Sequence, residues 1–439
     1  MIQRNIIIWD KLNLEEKQKV LTRPHLKNSN LVSQTVSSII NDVKQFGDKA
    51  IKKYTRIFDK LEIENFLLNQ ENVSIDSINI KNNVKNSILI AFKNIELFHK
   101  LKNKLKKEVE TQPGIKCSRL VLPIQSVGLY VPGGSTSLFS TALMLAIPAK
   151  IAKCKNIVIC SPPPISRELL YVAKLCGVHK VFQVGGAQAI AGLTFGTETI
   201  PKVDKIFGPG NVYVTEAKLQ VSKSFYNVDI DMIAGPSELL ILADYTANPE
   251  FIVADLFSQA EHGPSSQVLL VTSCKKIATL TLSILLKKLE FFSDVHVIRK
   301  SIMNSRIIYS ESMEECISIV NRYGPEHLII QTNSPKKELS NINNAGSIFL
   351  GKWSPVSAGD YASGTNHVLP TSGSVNTRSG LSVSDFQKQI TVQELSKQGL
   401  KNLSSTIQTL AKQEKMNEHS NAVQIRIDSF NLLKENYDI

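Results

Sequence analysis

The chain has 439 residues, of which 42% are hydrophobic and 21% are charged, and its formal net charge is +12. This composition excludes an intrinsically disordered chain, and the length predicts two to three domains rather than one core. The sequence has no run of the roughly 20 apolar residues that span a bilayer and no signal-peptide pattern at its start. The six cysteines are scattered without CxxC pairs, which favours free thiols and a cytoplasmic location.

The positive charge could indicate a nucleic-acid partner, but no nucleic-acid-binding motif accompanies it. Its densest run, Lys100–Lys107, also has leucines at the spacing of an amphipathic helix. A solvated helix face is therefore the favoured interpretation, and we predict neither a nucleic acid nor a membrane as a partner.

Residues 1–112 are polar, and their apolar residues recur at helical spacing, as in Thr35–Phe46 and Lys49–Phe58. From Val121 onward, short β-branched runs alternate with helical stretches, which is typical of βαβ units in a mostly parallel sheet. The predicted elements of this series are Val127–Val131, Leu138–Lys153, Ile157–Cys160, Ser166–Leu175, Lys180–Val184 and Ala187–Leu193.

A second series with the same alternation follows, so we predict two doubly wound domains joined near Asp231–Ser237. Gly351–Gly380 is then a long loop, of a kind that is usually functional or disordered. Leu381–Ile439 is predicted to form helices and a small appended domain. The elements of the second series are Leu239–Leu242, Pro249–Gln259, Gln267–Val271, Ile277–Leu289, Glu314–Arg322, His327–Gln331 and Ser347–Leu350.

The segment Ser258–Pro264, SQAEHGP, ends a predicted helix and contains a first pair of candidate site residues. Gln259 and His262 are three residues apart, so on a helix they share a face and can reach one point. His262 could therefore bind a metal through a ring nitrogen. The alternative, which this segment alone favours, is a histidine that complements the helix dipole before Gly263 ends the helix.

The segment Gly324–Leu328 contains an adjacent acid and histidine before an apolar strand. Glu326 and His327 could act as an acid–base pair, since both titrate near a useful pH once their environment is tuned. Neighbours in a regular strand point to opposite faces, so shared catalysis requires both residues to lie in the preceding loop. A surface pair is the alternative.

Two further polar segments contribute candidates. The loop Ser357–His367 is rich in small residues, which let ligands approach the backbone, and its Asp360 could complete a metal site. The segment Glu414–His419 has, by itself, the pattern of a solvated helix.

Gly-rich turns follow several predicted strands and are candidates for cofactor binding. They are Tyr130–Ser135, Gly185–Gln188 and Gly208–Asn211, and none has the GxGxxG pattern of the usual dinucleotide site. The turns would lie at the same edge of a parallel sheet, where α/β proteins bind ligands.

Taken together and in this order, these segments resemble one family, histidinol dehydrogenase. The sequences AGPSE, SQAEHGP, GPEHL and GDYASGTNH carry the resemblance, which covers the chain from about Val121 onward. One departure is Lys415–Glu418, which stands where the family usually has a small or apolar stretch. The matching stretches are Val127–Ser137, Val184–Ala191, Phe207–Lys218, Ile233–Leu240, Asp255–Pro264, Gly324–Leu328, Ser354–Pro370 and Glu414–Val423.

The resemblance implies an α/β fold with two Rossmann-like, doubly wound domains that lack the GxGxxG fingerprint, plus small helical extensions at both termini. It implies an N-terminal arm at residues 1–26 and a larger domain of residues 27–129 and 238–380 that carries most metal and catalytic residues. A second domain of residues 130–237 would contact NAD, and a C-terminal tail domain of residues 381–439 would be exchanged in a homodimer.

The resemblance also implies the reaction, a zinc-requiring, NAD-dependent, four-electron oxidation of L-histidinol through L-histidinaldehyde to L-histidine. In this reading His327 takes the alcohol proton and Glu326 activates water. Ser237, His367 and Glu414 would hold the substrate together with His327 and the zinc ligands, and the dimer would share its active sites through Glu414 and His419. The implied zinc ligands are Gln259, His262, Asp360 and His419, and the implied NAD contacts are Tyr130, Gln188 and Asn211.

Other functions compete with this one. A zinc hydrolase would use similar ligands and a glutamate base, but it leaves the Gly-rich turns unexplained. A basic nucleic-acid-binding protein would explain only the charge. The thioester chemistry of aldehyde dehydrogenases, whose overall plan the family shares, is rejected because no cysteine lies in a suitable setting beside a candidate base.

Overall fold

The computed structural model describes residues 5–24, 29–101, 108–133, 138–223, 227–232, 235–293 and 296–435. Most of the basic run Lys100–Lys107 and part of the turn Tyr130–Ser135 lie outside these ranges, so both remain predictions. Among the described helices, none is long and apolar enough to span a bilayer.

The described strands and α-helices are numbered in chain order. The strands are β1 (Ile7–Ile8), β2 (Leu67–Asn69), β3 (Glu108–Gln112), β4 (Ile115–Pro123), β5 (Ser126–Tyr130), β6 (Asn156–Ser161), β7 (Lys180–Gln183), β8 (Lys205–Phe207), β9 (Asp229–Ile230), β10 (Glu238–Ala243), β11 (Gln267–Thr272), β12 (Arg306–Tyr309), β13 (His327–Gln331), β14 (Ser347–Leu350) and β15 (Gln387–Leu395). The helices are α1 (Leu14–Leu21), α2 (Ser29–Phe46), α3 (Asp48–Phe58), α4 (Asn82–His99), α5 (Phe139–Ala152), α6 (Arg167–Cys176), α7 (Gly186–Phe195), α8 (Val212–Lys223), α9 (Pro249–Ala260), α10 (Lys275–Leu289), α11 (Val297–Met303), α12 (Met313–Tyr323), α13 (Pro335–Leu339), α14 (Val356–Tyr361), α15 (Lys397–Gln413) and α16 (Asn417–Glu435). The alternation of strands and helices predicted between Val127 and Leu350 is confirmed, with bounds that differ by a few residues.

Two sheets form the first compact unit, which comprises residues 1–101 and 124–386. Sheet I has the order β2-β7-β6-β5-β8-β9, and sheet II has the order β1-β12-β11-β10-β13-β14. Neighbouring strands run parallel except β2, which is antiparallel to β7. The protein therefore has a mixed α/β fold built on parallel sheets.

Sheet II is covered on both faces, so its central strands are apolar throughout. Every residue of β10, β11 and β13 is buried, which explains why these strands read as continuous rather than alternating apolar runs. One face packs against α9, α10 and α11, and the other packs against α12 and the N-terminal segment that contains the fully buried Trp9.

Sheet I is covered by α4, α5 and α6 on one face and by α2, α3, α7 and α8 on the other. The segment from α2 to α4 therefore packs on sheet I, whereas the predicted grouping placed residues 27–129 with residues 238–380. The strand β2 explains this difference, because it lies within that segment and pairs with β7 at the edge of sheet I. The other predicted domain boundaries remain predictions.

The second compact unit comprises residues 102–123 and 387–439. Its described residues form an antiparallel sheet of order β15-β4-β3 and two helices, α15 and α16, that pack against each other. The prediction of a helical C-terminal extension therefore missed β15, which pairs with β4 from Gln387 opposite Pro123 to Leu395 opposite Ile115. Such a pairing joins segments far apart in the chain, so a local helical pattern gives no sign of it.

Candidate active site

Glu326 and His327 lie where the chain passes from the end of α12 into the strand β13. The helix ends at Gly324, whose φ of +57° favours glycine, and a Cβ there would lie 2.8 Å from Val375 Cγ2. Glu326 precedes β13 and His327 is its first residue. Their exposed fractions are 7% and 3%, so the alternative of a surface pair is excluded.

The main chain of Glu238, the first residue of β10, binds both of these side chains. The Glu238 N–H donates to Glu326 Oε2 at 2.8 Å, and the Glu238 carbonyl oxygen lies 3.1 Å from His327 Nδ1. A carbonyl oxygen can only accept, so we assign a proton to Nδ1. The other ring nitrogen, Nε2, lies 3.4 Å from Asp360 Oδ1, and the contact does not have hydrogen-bond geometry.

Opposing influences set the protonation of His327 and Asp360. Burial lowers the pKa of His327, but the negative charges of Glu326 and Asp360 outweigh it and raise that pKa to about 10. Burial likewise raises the pKa of Asp360, and interaction with His327 outweighs it, so that this pKa lies below its usual value.

Asp360 belongs to α14, a helix inside the segment Gly351–Gly380 that the sequence predicts as a loop. α14 packs against α9, and the Val356 N–H at its start donates to the Asp255 carboxylate of α9. On its other side, a Cβ at Gly359 would lie only 2.7 Å from the Phe349 ring of β14. Glycine therefore lets α14 approach sheet II closely and places Asp360 beside His327.

His367 follows α14 and uses both ring nitrogens. Nδ1 lies 2.7 Å from the main-chain oxygen of Asp360, to which it donates, and Nε2 lies 3.1 Å from Thr141 Oγ1, from which it accepts. Burial lowers the pKa of His367, which agrees with a neutral ring. Since Thr141 belongs to α5, His367 links the helix layer on sheet I to the main chain of Asp360 in α14.

Gln259 lies in the last turn of α9, and His262 lies just beyond the helix, which ends at Ala260. The predicted helix Pro249–Gln259 is therefore confirmed to within one residue, and of the two candidate residues only Gln259 is helical. Gln259 is 1% exposed, and within the described residues neither its Oε1 nor its Nε2 has a hydrogen-bond partner. A buried amide without partners is costly, so this side chain indicates a ligand that is not part of the chain.

His262 is exposed, and its imidazole is close enough to Asp360 to interact with it electrostatically. Among the described residues, no three or more His, Cys, Asp and Glu side chains are grouped as a metal site. The ligand set implied by the resemblance differs from such a group, because it includes the amide of Gln259 and also His419 from the second unit. The full set remains a prediction.

Ser237 lies at the start of β10, on the same amino-terminal edge of sheet II as Glu326. The register between β10 and β13, in which Leu239 is opposite His327, sets this placement. Ser237 is half-buried, and its carbonyl oxygen accepts a hydrogen bond of 3.1 Å from the Gln267 N–H.

The described parts of the candidate cofactor turns lie at the carboxyl edge of sheet I, because β5, β6, β7 and β8 are parallel. Tyr130 ends β5, is 3% exposed, and accepts a hydrogen bond of 3.0 Å from the Gly186 N–H. Gln188 of α7 is 1% exposed, and its Oε1 has no partner among the described residues. Asn211 caps α8, since its Oδ1 accepts from the N–H groups of Tyr213 and Val214.

Glu414 and His419 belong to the second compact unit. Glu414 follows α15, His419 lies in the first turns of α16, and both are exposed. Their predicted part in the site remains a prediction. Lys415, in the stretch that departs from the family pattern, has a φ of +61° between the two helices.

Sequence reasoning missed three residues that support these side chains: Arg23, Glu238 and Asp255. A signal for Glu238 was present, because an acid at the start of the apolar strand β10 needs a partner once it is buried. Asp255 carries a similar signal, since it lies on the buried face of α9. Nothing local distinguishes Arg23 from any other basic residue near a helix end.

The chain is similar to known proteins of one family over nearly its whole length. The profile of the family described as Histidinol dehydrogenase matches residues 21–427. The histidinol dehydrogenase of Buchnera aphidicola subsp. Acyrthosiphon pisum (strain APS) is 56% identical over 425 residues, which cover 97% of this chain and 98% of the relative. That of Escherichia coli (strain K12) is 50% identical over 430 residues, which cover 98% of each. A crystal structure of histidinol dehydrogenase from Elizabethkingia anophelis aligns with a TM-score of 0.91 and 43% identity over 96% of this chain and 97% of that chain.

Proposed function

This chain belongs to the histidinol dehydrogenase family, and from that premise we propose how its own residues carry out the reaction. The activity is the oxidation of L-histidinol to L-histidine in histidine biosynthesis. The conversion of a primary alcohol to a carboxylic acid removes four electrons, as two hydrides, and takes one oxygen atom from water. It therefore passes through an aldehyde, with two NAD molecules as successive hydride acceptors.

The proposed proton acceptor for the alcohol is His327, acting through Nε2. Its Nδ1 is held by the Glu238 carbonyl oxygen, which leaves Nε2 as the nitrogen that can accept a proton. A general base has to be neutral, so this role requires that the Asp360 carboxylate be engaged elsewhere than with the imidazole. The role of Asp360 as a metal ligand meets that requirement.

The proposed base for the second step is Glu326. One carboxylate oxygen, Oε2, accepts from the Glu238 N–H at 2.8 Å, so the other oxygen is left to take a proton from water. The water oxygen then bonds to the aldehyde carbon, and the resulting hydrate loses a hydride and a proton to become the acid. Both bases lie at one edge of sheet II, where a single bound substrate can meet them in turn.

A zinc ion would be held by Gln259, His262, Asp360 and His419 of the partner subunit. The buried amide of Gln259, which has no partner among the described residues, supports this assignment. An amide oxygen, a carboxylate and two imidazoles suit Zn²⁺, although glutamine is an uncommon ligand. When bound, the metal would orient and polarise the substrate.

Ser237, His367 and Glu414 are the further residues proposed to hold the substrate. Both ring nitrogens of His367 are occupied, one by the main-chain oxygen of Asp360 and one by Thr141. His367 can therefore contact the substrate only by giving up the Thr141 hydrogen bond, and the weaker of its two contacts is the one available for exchange.

NAD would bind at the carboxyl edge of sheet I through Tyr130, Gln188 and Asn211. The buried Gln188 Oε1 without a described partner supports this position. The strand order supports it as well. Sheet I contains the order β7-β6-β5-β8-β9, and sheet II contains the order β12-β11-β10-β13-β14. When the strands of each set are numbered along the chain, both orders are 3-2-1-4-5, which is the order of Rossmann-like, doubly wound sheets.

The dimer with an exchanged tail is also part of the proposal. The second unit exposes Leu120, which lies opposite Ile390 in the β4–β15 pair, and Val392 follows on the same face. An exposed apolar group of this kind is typical of a surface that a partner covers. A cytoplasmic location remains a prediction, supported by the six cysteines, all of which are free thiols.

The observation that carries the proposal is the buried Glu326–His327 pair beside Asp360. The test is to supply zinc-loaded protein with L-histidinol and NAD and to count the NADH formed per L-histidinol consumed. Two NADH are expected, and removal of zinc with a chelator should stop their formation. One NADH would mean that the reaction ends at the aldehyde, and no NADH at all would count against the dehydrogenase.

A further inference from the structure

The buried carboxylate of Glu238 is held by Arg23, which lies in the N-terminal segment. Arg23 Nε donates to Glu238 Oε1 at 2.6 Å, and Arg23 Nη2 donates to Oε2 at 3.0 Å. The Ser372 N–H also donates to Oε1 at 3.0 Å. The side chain of Glu238 is 2% exposed, so it cannot turn away without leaving these donors buried and unpaired.

Arg23 is itself attached to the turn that leads to Glu326. Its Nη2 donates to the main-chain oxygens of Tyr323 and Gly324 at 2.7 and 3.1 Å. The guanidinium also stacks on the Tyr323 ring, 4.1 Å from the ring centroid. One side chain therefore joins the start of β10 to the end of α12, which are the two places that set the position of the catalytic pair.

From these contacts we propose that Arg23 and Glu238 are positioning residues for the Glu326–His327 pair. Glu238 acts through its main chain, since its N–H orients the Glu326 carboxylate and its carbonyl oxygen keeps the proton of His327 on Nδ1. Arg23 keeps that main chain in register with the turn before β13. The inference rests on the roles proposed above for Glu326 and His327.

A purely structural ion pair is the competing explanation, because buried pairs are often retained without any part in catalysis. The two explanations differ in what a conservative change does. Loss of a structural pair lowers stability and leaves turnover by the folded protein unchanged. Loss of a positioning pair lowers kcat in the folded protein, since a displacement of about 1 Å at reacting groups can cost on the order of a hundredfold.

The experiment compares Arg23→Lys and Glu238→Gln with wild type. Each variant keeps the size of the side chain and removes the two-pronged contact between guanidinium and carboxylate. We expect kcat to fall about ten- to a hundredfold, while KM for L-histidinol and the bound zinc change less than about twofold. Arg299→Ala is the matched control, because the Arg299 guanidinium likewise donates to main-chain oxygens, here those of Leu289 and Phe292 at the end of α10. It should lower Tm and leave kcat unchanged.

A second readout does not depend on activity. In wild type the His327 Nδ1 proton, bound to the Glu238 carbonyl oxygen, should exchange slowly with water, as followed by NMR of protein with ¹⁵N-labelled histidine. The exchange should be at least about tenfold faster in Arg23→Lys and Glu238→Gln, since the carbonyl is no longer fixed. If Glu238→Gln does not fold, Arg23→Lys decides, because the Arg23 side chain is 24% exposed and lysine can reach solvent there.

Folded variants with wild-type kcat and unchanged Nδ1 exchange would overturn the inference, while wild-type turnover of L-histidinol would leave the proposed function standing. A wild-type protein without turnover would instead count against the proposed function. The exchange of the His327 Nδ1 proton then still decides whether Arg23 and Glu238 hold the Glu326–His327 pair in place.

Discussion

The two carboxylate oxygens of Glu326 have different surroundings. Oε2 accepts from the Glu238 N–H at 2.8 Å and lies 3.5 Å from His327 Nδ1. The other oxygen makes neither of these contacts. In the proposed role of Glu326 this asymmetry would separate two functions, because one oxygen holds the side chain in place while the other is left to meet water.

Replacing Glu326 by glutamine tests that separation. The amide oxygen of Glu326→Gln can still accept from the Glu238 N–H, but the side chain can no longer take a proton from water. We expect oxidation of L-histidinaldehyde to slow by about 10²- to 10⁴-fold and oxidation of L-histidinol to slow less. Single-turnover rates measured separately with each substrate decide this, and equal slowing of both steps would show that the role is misassigned.

Asp255 is a buried acid in α9, and burial raises its pKa to about 7, although the hydrogen bond from the Val356 N–H opposes the shift. Between about pH 4 and pH 7 the unfolded chain then releases a proton that the folded chain keeps, so the free energy of unfolding falls as pH rises. Asp255→Asn has no ionisable group at this position, so its free energy of unfolding does not fall with pH for this reason. Its stability relative to wild type should grow by up to about 3 kcal/mol between pH 5 and pH 8.

Urea unfolding of the zinc-free protein at several pH values measures this difference. Asp42→Asn is the control, because hydrogen bonds from Lys53 and Tyr54 lower the pKa of Asp42. The lowered pKa of Asp42 changes the free energy of unfolding only below about pH 4. The difference in that free energy between Asp42→Asn and wild type should therefore stay constant from about pH 5 to pH 8. A constant difference for Asp255→Asn as well would mean that Asp255 is ionised in the folded protein.

At the scale of elements, α14 determines whether the site can form. This short helix brings Asp360 to His327, and it lies between α9 and β14 with glycine at the closest approach. Gly359→Ala would put a Cβ 2.7 Å from the Phe349 ring atoms, so either the ring or the helix has to move. We expect a loss of about 1 to 3 kcal/mol in stability and weaker zinc binding, measured by unfolding and by metal titration.

The double variant Gly359→Ala/Phe349→Leu separates the clash from other effects. Leucine lacks the ring atoms that the new Cβ would meet, so zinc binding should recover at least in part. The two changes should therefore be non-additive, as expected for residues in contact. Additive losses would show that the loss caused by Gly359→Ala does not come from contact with the Phe349 ring.

At the scale of the whole molecule, the proposed site would draw on both sheets and on residues of the second unit. The amino-terminal edge of sheet II supplies Glu326 and His327, and the carboxyl edge of sheet I carries the residues proposed to bind NAD. His367 connects the two through Thr141. The proposed exchange of tails then makes each site depend on two chains.

Mixing two inactive variants tests that exchange. In a heterodimer of Glu326→Gln and His419→Asn chains, one site combines both defects and the other combines two unmodified parts. If tails are exchanged, random mixing of the two variants should restore about a quarter of wild-type turnover. Without exchange every site keeps one defect, and no turnover returns. The turnover of each variant measured alone, at the same total protein concentration, is the baseline.

Much of the fold follows from local pattern alone. The strands His327–Gln331 and Ser347–Leu350 have the predicted bounds, because short apolar runs bounded by turn residues report burial on both faces. The order of Gly-rich turns also predicts one common edge, since parallel strands end together. The sequence likewise marks Gln259, Glu326, His327 and Asp360 as polar residues in unusual settings.

Only the tertiary structure decided how those residues face one another. The bond between Arg23 and Glu238 spans a separation of 215 residues, and no local pattern records it. The same holds for β15, whose partner β4 lies far upstream, and for α14, whose place depends on the Phe349 ring. Local periodicity reports which face of an element is buried, whereas the partner on that face is chosen by packing and hydrogen bonding across the whole fold.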